Sequence, residues 1–308
     1  MARQSHLVQV DGRELEVSNL DKPMFPSGFT KGQVIEFYLK IADSLLPHLK
    51  DRPITLKRYP NGTTERPFYE KDAPKYTPKW IKRFPVPRRT GGRDICYVLI
   101  NDLPSLVWSV NLANLEMHPF LHRAPDIGTP TAMVFDLDPG EPAGLLESAK
   151  VAFLVKKSLE DAGLQSFAKV SGSRGIQMYA PLNTPVDYAE TQTFARGMAE
   201  RLEHEHGGLV VSAMAKEQRL GKVFIDWSQN SDFKTTVAPY SLRARQAEPF
   251  ISMPVKWEEL TRAVKRRDAS ILYFTPEQAL ARVRKIGDLF APVLSLRQKL
   301  PKVAHRAG

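Results

Sequence analysis

The stretch AMVFDLDPG, residues 132–140, sets two aspartates into an otherwise apolar run and closes it with Pro139 and Gly140. That order predicts a buried strand, and strand alternation aims Asp136 and Asp138 at the same face. Two carboxylates on one face repel, so either a cation lies between them or the pair shares a proton. A second apolar run, KVFID, ends at Asp226 and leads into Trp227 and Ser228. Three acidic side chains at strand ends are what two divalent cations about 3.5–4 Å apart need to clamp an in-line phosphoryl displacement. Ligation by oxygen alone selects magnesium or manganese over zinc. Aspartate also caps turns and helices; that role suits Asp138 before Pro-Gly and fits Asp136 and Asp226, inside apolar runs, less well.

The rest of the chain has the make-up of a folded protein. It has 308 residues, 42% hydrophobic and 25% charged, which is enough for one large or two closely packed domains. No window approaches the roughly 18 apolar residues of a membrane span, and the start MARQSHLVQV lacks the apolar segment of a secretory signal, so a cytoplasmic protein is expected. The lone cysteine, Cys96 in ICYVLI, rules out a disulfide within the chain and a cysteine-rich zinc site, and is expected to pack in the core. Lysine plus arginine exceed aspartate plus glutamate by 44 − 34 = +10, which points to a polyanionic partner such as nucleic acid.

Apolar spacing predicts helices over residues 33–50, 104–113, 145–161 and 188–206, and strands over 95–100, 132–136, 167–170, 176–179 and 223–225. The alternation makes a mixed α/β protein. Residues 59–89 hold six prolines among basic and aromatic residues, which predicts an extended surface segment available for contacts. Residues 257–289 read as largely helical and basic. A boundary near residues 125–131 divides an N-terminal α/β module, 1–127, from a catalytic module, 128–295, and a basic tail, 296–308, expected to fray.

Between two of these strands lies VSGSRGIQMY, in which Gly172 and Gly175 let backbone N–H groups approach an anion while Ser171, Ser173 and Arg174 add hydroxyls and a guanidinium. A Gly-Ser turn alone is commonplace. The order of motifs is not: an Asp-x-Asp strand end, then Ser-Gly-x-x-Gly, then a strand-end aspartate followed by WSQN and KTTVAPYSLRAR. This order resembles the archaeo-eukaryotic primase superfamily, and most closely the polymerase domain of bacterial DNA ligase D. The likeness runs from about Asn19 through Arg245 and into MPVKW.

The resemblance implies a primase-like fold, with central mixed and antiparallel sheets flanked by helices. It also implies nucleotidyl transfer that extends primers and fills gaps at double-strand breaks in non-homologous end joining, with a preference for ribonucleotides and manganese. Asp136, Asp138 and Asp226 then hold two Mn2+ or Mg2+ ions. Ser171, Arg174, Lys234 and Arg243 contact the triphosphate, and Lys57 and His118 meet the incoming nucleotide. Phe68 and Tyr69 match aromatics that stack on base and template, a role open to any base face. Asn19, Lys22 and Lys31 fall where the family binds the 5′-phosphate of a downstream strand. The implied partners are DNA gaps, overhangs or broken ends with a 5′-phosphate, NTP or dNTP, and possible association with Ku and an ATP-dependent ligase near the nucleoid.

Two departures stand out. The family loop usually reads Ser-Gly-x-x-Gly-x-His, whereas this chain places Gln177 last; an amide donates to a phosphate oxygen but carries no charge. No Lys-x-Asp-Gly ligase motif and no nuclease module is found, so the chain reads as a stand-alone polymerase or one module of a longer protein. A primase that starts chains without a primer, and a poorly catalytic DNA-end-binding module, are the competing readings.

Overall fold

The computed structural model describes residues 5–301. In chain order the elements begin with a hairpin, β1 (Ser5–Val10) and β2 (Arg13–Ser18), followed by α1 (Lys31–Leu49) and β3 (Pro53–Arg58). Short strands β4 (Phe68–Glu70) and β5 (Arg83–Val86) interrupt the proline-rich segment; β6 (Ile95–Leu99), α2 (Leu103–Asn111) and β7 (Asn114–Pro119) follow. Next come β8 (Ala132–Pro139), α3 (Leu145–Asp161), β9 (Phe167–Val170), β10 (Ile176–Pro181) and α4 (Tyr188–His206). The remainder comprises β11 (Val210–Val211), β12 (Val223–Asp226), β13 (Leu242–Arg243), β14 (Phe250–Ile251), β15 (Pro254–Val255), α5 (Trp257–Arg266), α6 (Pro276–Ile286) and α7 (Ala291–Ser295). The chain is thus a mixed α/β protein. Among the described residues no helix is long and apolar enough to cross a membrane.

Local chemistry sets the helix limits. Thr30 and Gln33 form a capping box at the start of α1, and its buried face carries Val34, Phe37, Tyr38, Ile41, Leu45 and Leu49. Asp187 and Glu190 do the same for α4. Thr275 caps α6, whose first residue is Pro276 and whose end is marked by Gly287 at φ 71°.

Two compact units emerge. One comprises the chain up to Ile127 together with Thr235–Met253 and Phe274–Asp288; the other comprises Gly128–Lys234, Pro254–Tyr273 and the chain from Leu289. In the first, a five-stranded sheet has the order β4-β3-β6-β5, with β7 also paired to β3. Where one continuous module over 128–295 was expected, residues 235–253 and 274–288 belong with the first unit. Buried polar groups account for the first of these segments. The hydroxyl of Tyr38, wholly inside, donates to Leu115 O at 2.7 Å, accepts from Leu242 N at 3.0 Å and lies 3.2 Å from Ser241 Oγ. Without residues 235–253 that hydroxyl would lose two of its partners.

The second unit is built on a six-stranded sheet of order β11-β12-β8-β10-β9-β15, antiparallel except for the β11–β12 pair. α3 and α4 pack on it. The chain after α7 does not fray at once. Gln298 donates its N–H to Leu182 O at 2.8 Å and its amide to Pro181 O at 2.7 Å, and Asn183 donates to Leu296 O at 2.8 Å. Residues 296–298 are therefore docked at the end of β10, while residues 302–308 of the expected frayed tail lie outside the described residues. Cys96 is half-buried rather than fully in the core.

β8 is paired along both edges, but β12 stops at Asp226, before β8 does. There the Asn230 side chain, fully buried, accepts from Val134 N at 2.8 Å and donates to Val134 O at 2.7 Å, in place of a strand neighbour. Asn230→Ala leaves both backbone groups unsatisfied and is expected to lower unfolding free energy by about 2–3 kcal/mol. Urea denaturation of the variant beside the parent measures this; a loss within about 0.5 kcal/mol would show that Val134 finds other partners.

Candidate active site

In the second unit the site is assembled by strand register. Asp136 and Asp138 share one face of β8. Asp226, the last residue of β12, sits directly opposite Asp136, and Gln177 of β10 is opposite Asp136 on the other side. Lys169 of β9 pairs with Gln177 in turn. Directly opposed residues point to the same face, so Asp226, Asp136, Gln177 and Lys169 form one row across four strands. Burial first, then Asp138 and Asp226, pushes the Asp136 carboxyl up to about 7, against the lowering effect of Gln177 and Lys169. Gln177 donates Nε2 to Asp136 Oδ2 at 2.9 Å, and its Oε1 is buried without a hydrogen-bond partner.

Asp226 has a second role that apolar patterning did not suggest: it caps the short turn 227–229. Its Oδ1 accepts from Ser228 N at 3.0 Å and from the Ser228 hydroxyl, its Oδ2 accepts from Gln229 Nε2 at 3.2 Å, and Lys234 Nζ is 3.6 Å away. Among the described residues no three acidic, histidine or cysteine side chains form a ready-made metal cage. The donor set nonetheless suits a hard divalent cation. Three carboxylates from adjacent strands crowd one face, all offer oxygen, and the proton that the raised Asp136 carboxyl takes up more readily is one that a cation would replace.

The loop after β9 is organised by Ser171. Its hydroxyl accepts from Ser173 N and Gly175 N, each at 3.2 Å, while its N–H donates to Gly175 O at 2.9 Å. Gly172 sits at φ 66°, and a Cβ on Gly175 would lie 2.5 Å from Leu137 O and 3.4 Å from Asp138 Oδ1, so the loop rests against β8. Arg174 is exposed and pairs with Glu141 at 2.6 Å, an exchangeable surface contact. The Lys234 ammonium donates to the Ser228 hydroxyl. Lys169, fully buried with Nζ 5.9 Å from the centre of the Tyr179 ring, was not anticipated. Its signal was a lysine inside the apolar run FAKV.

In the first unit, Lys57 on β3 is opposite Glu116 of β7 on one side and Tyr69 of β4 on the other. His118, two residues after Glu116, lies on the same face, and Arg243 reaches Glu116 from β13 at 3.2 Å. Tyr69 is exposed, its ring 6.0 Å from that of His118. Phe68, its neighbour, points to the opposite face of β4, where the Arg58 guanidinium stands 5.1 Å from the ring centre. The two aromatics therefore cannot stack on the same base. Glu116 was also missed, although the alternation in NLEMHP places it beside His118.

Asn19, Lys22 and Lys31 come together ahead of and at the first turn of α1. Lys22 N donates to Asn19 O at 3.1 Å, and Lys31 N to Lys22 O at 2.9 Å. The Lys22 ammonium is exposed on Pro60 O. That of Lys31 turns inward to Ser18 O at 2.6 Å and Asn111 Oδ1 at 2.7 Å.

Residues 30–290 match the family model for the LigD primase-polymerase domain. The chain is 36% identical over 282 residues to the multifunctional non-homologous end joining protein LigD of Mycolicibacterium smegmatis, covering 91% of this chain and 36% of that protein. It is 30% identical over 277 residues to the bifunctional non-homologous end joining protein LigD of Bacillus subtilis, covering 89% and 43%. The chain thus spans well under half the length of these relatives. Among solved structures, it is similar to the polymerase domain from Mycobacterium tuberculosis ligase D in complex with DNA, with a TM-score of 0.84, 36% identity, and coverage of 92% of this chain and 99% of that one.

The raised Asp136 carboxyl has a stability consequence. Its folded value of about 7 exceeds the ordinary 3.8, so the folded state holds the proton more tightly, and the contribution of Asp136 to stability falls as pH rises from about 4 to about 7. The slope approaches about 1.4 kcal/mol per pH unit. Urea denaturation across that range in chelating buffer is expected to show this slope in the difference between parent and Asp136→Asn, because burial lowers the His118 and His122 imidazoles and gives both proteins the same opposing contribution.

Proposed function

Because the chain belongs to the LigD primase-polymerase domain family, we propose that it is a nucleotidyltransferase that extends primers and fills gaps at DNA double-strand breaks in non-homologous end joining, with a preference for ribonucleotides. The observation that carries this reading is the register that sets Asp226 opposite Asp136, beside Asp138, on one sheet face.

Metal dependence is a general property of the family. In this chain Asp136, Asp138 and Asp226 would hold two divalent cations, Mn2+ or Mg2+, which supply Lewis-acid activation of a primer 3′-hydroxyl and neutralise the triphosphate. Gln177 keeps Asp136 oriented through its amide and leaves Oε1 toward the same face. The Ser171–Gly175 loop, with Arg174 released from Glu141, receives phosphate oxygens, as does Lys234. Lys57, His118 and Arg243 are the nucleotide-binding side chains of the first unit, and Tyr69 stacks on a base while Phe68 serves a different surface, such as the template. Asn19 and Lys22 receive the 5′-phosphate of a downstream strand, braced by Lys31. The partners are DNA ends and gaps, with Ku and a DNA ligase acting on the same break, and such a substrate places the protein with the nucleoid in the cytoplasm.

Primer extension with Mn2+ and ribonucleotides tests the whole reading. Asp138→Ala is expected to reduce extension by at least about a thousandfold while gapped-DNA binding stays within about twofold of the parent; equal extension by variant and parent would remove Asp138 from the metal site. Lys22→Ala is expected to weaken binding to 5′-phosphorylated gaps several-fold more than to unphosphorylated gaps. Equal losses on the two substrates would reject end recognition by Lys22.

A further inference from the structure

Four hydrogen-bonding groups and one guanidinium converge on one carboxylate in the first unit. Glu116, fully buried, accepts through Oε1 from the Lys57 ammonium at 2.9 Å, the Tyr59 hydroxyl at 2.8 Å and Ala244 N at 3.2 Å. Its Oε2 faces His118 Nε2 at 3.1 Å and Arg243 Nε at 3.2 Å. A carboxylate offers about four lone-pair directions, so Glu116 is saturated.

The backbone register of β3 and β7 already holds the strands together, and the Glu116 side chain adds nothing to that ladder. What it does is let two cations be buried close together. Lys57 is 5% exposed and Arg243 8%, and burying either charge alone is costly. One carboxylate offsets one of the two charges. A positive surplus therefore remains, with Arg245 close enough to add to it, and it is fixed in position. Burial lowers the His118 imidazole below its ordinary range despite Glu116, so the ring is neutral near pH 7. Arg243, His118 and Lys57 together outweigh burial and hold the Glu116 carboxyl well below the usual carboxylate range. An ionised carboxylate can only accept, so His118 carries its proton on Nε2 and keeps Nδ1 as an acceptor.

We propose that Glu116 is a positioning residue for nucleotide binding, a buried carboxylate that fixes the Lys57 ammonium, the Arg243 guanidinium and the Nε2–H tautomer of His118 before a nucleoside triphosphate arrives. This rests on the reading that those three side chains meet the nucleotide. Glu116 itself touches no substrate; it acts through the groups it holds.

Glu116→Gln in the full chain is the test. Glutamine keeps the size and one acceptor, but its NH2 now faces the N–H groups of His118 and Arg243. The variant is expected to bind a ribonucleoside triphosphate with Mn2+ at least about tenfold more weakly by calorimetry, and gapped DNA within about twofold of the parent. In 15N spectra His118 should move from the Nε2–H to the Nδ1–H tautomer, a change that a merely structural role would not produce. Lys57→Met should also weaken nucleotide binding, and the double variant should lose less than the two single losses combined, because Glu116 acts partly through Lys57.

Unchanged nucleotide affinity in Glu116→Gln, with Lys57→Met clearly weakened, overturns the proposal and leaves the nucleotide site intact. Unchanged affinity in Lys57→Met overturns the nucleotide site and the proposal with it. If Glu116→Gln does not fold, the parent decides: the Nε2–H tautomer of His118 supports the proposal, and the Nδ1–H tautomer overturns it.

Discussion

The chemistry of the second unit depends on one antiparallel register, β12 against β8, which sets Asp226 across from Asp136. A slip of one residue would carry Asp226 to the other face, leaving Asp136 and Asp138 without a third acid. The register brings crowding with it. Burial and two neighbouring carboxylates on the same face raise the Asp136 carboxyl. The neighbouring strands answer with Gln177 and the buried Lys169, and the turn after β12 answers with Ser228, Gln229 and Lys234 around Asp226. Each offsets part of the repulsion, and none is a divalent cation.

The first unit has the opposite imbalance. There the cations crowd, and a single carboxylate sits among them. The two arrangements use the same physics with the sign reversed: charge of one kind is kept in excess inside protein, where water screens it poorly, and a minority of opposite groups fixes its geometry. An excess of acid suits metal, and an excess of base suits phosphate.

Much of this was legible in the sequence, for identifiable reasons. Asp136 and Asp138 could be placed because alternation within one strand is local, and α1, α3 and α4 because their apolar spacing and caps are local too. The β1–β2 hairpin passed unnoticed although Asp11-Gly12 between alternating residues is a strong turn signal; its charged, exposed faces hid the alternation. Partners far away in the chain were harder to see. Nothing near residues 235–253 shows that Tyr38 and Glu116 need them, and nothing near Gln298 shows that Pro181 and Leu182 offer it open carbonyls. Phe68 and Tyr69 could be singled out because they are adjacent and flanked by basic residues, but that a three-residue strand sends them to opposite faces was not visible without the strand.

The amide at residue 177 also changes how acidity is shared in the second unit. An imidazole there would gain and lose a proton near neutrality and alter its hold on the neighbouring carboxylate with each exchange. Gln177 has no such equilibrium: its Nε2 presents the same hydrogens to Asp136 in weak acid and weak base alike. Protonation near neutrality is thereby left to Asp136 itself. Whatever binds there meets a scaffold whose neutral partner stays constant while Asp136 registers the surrounding pH.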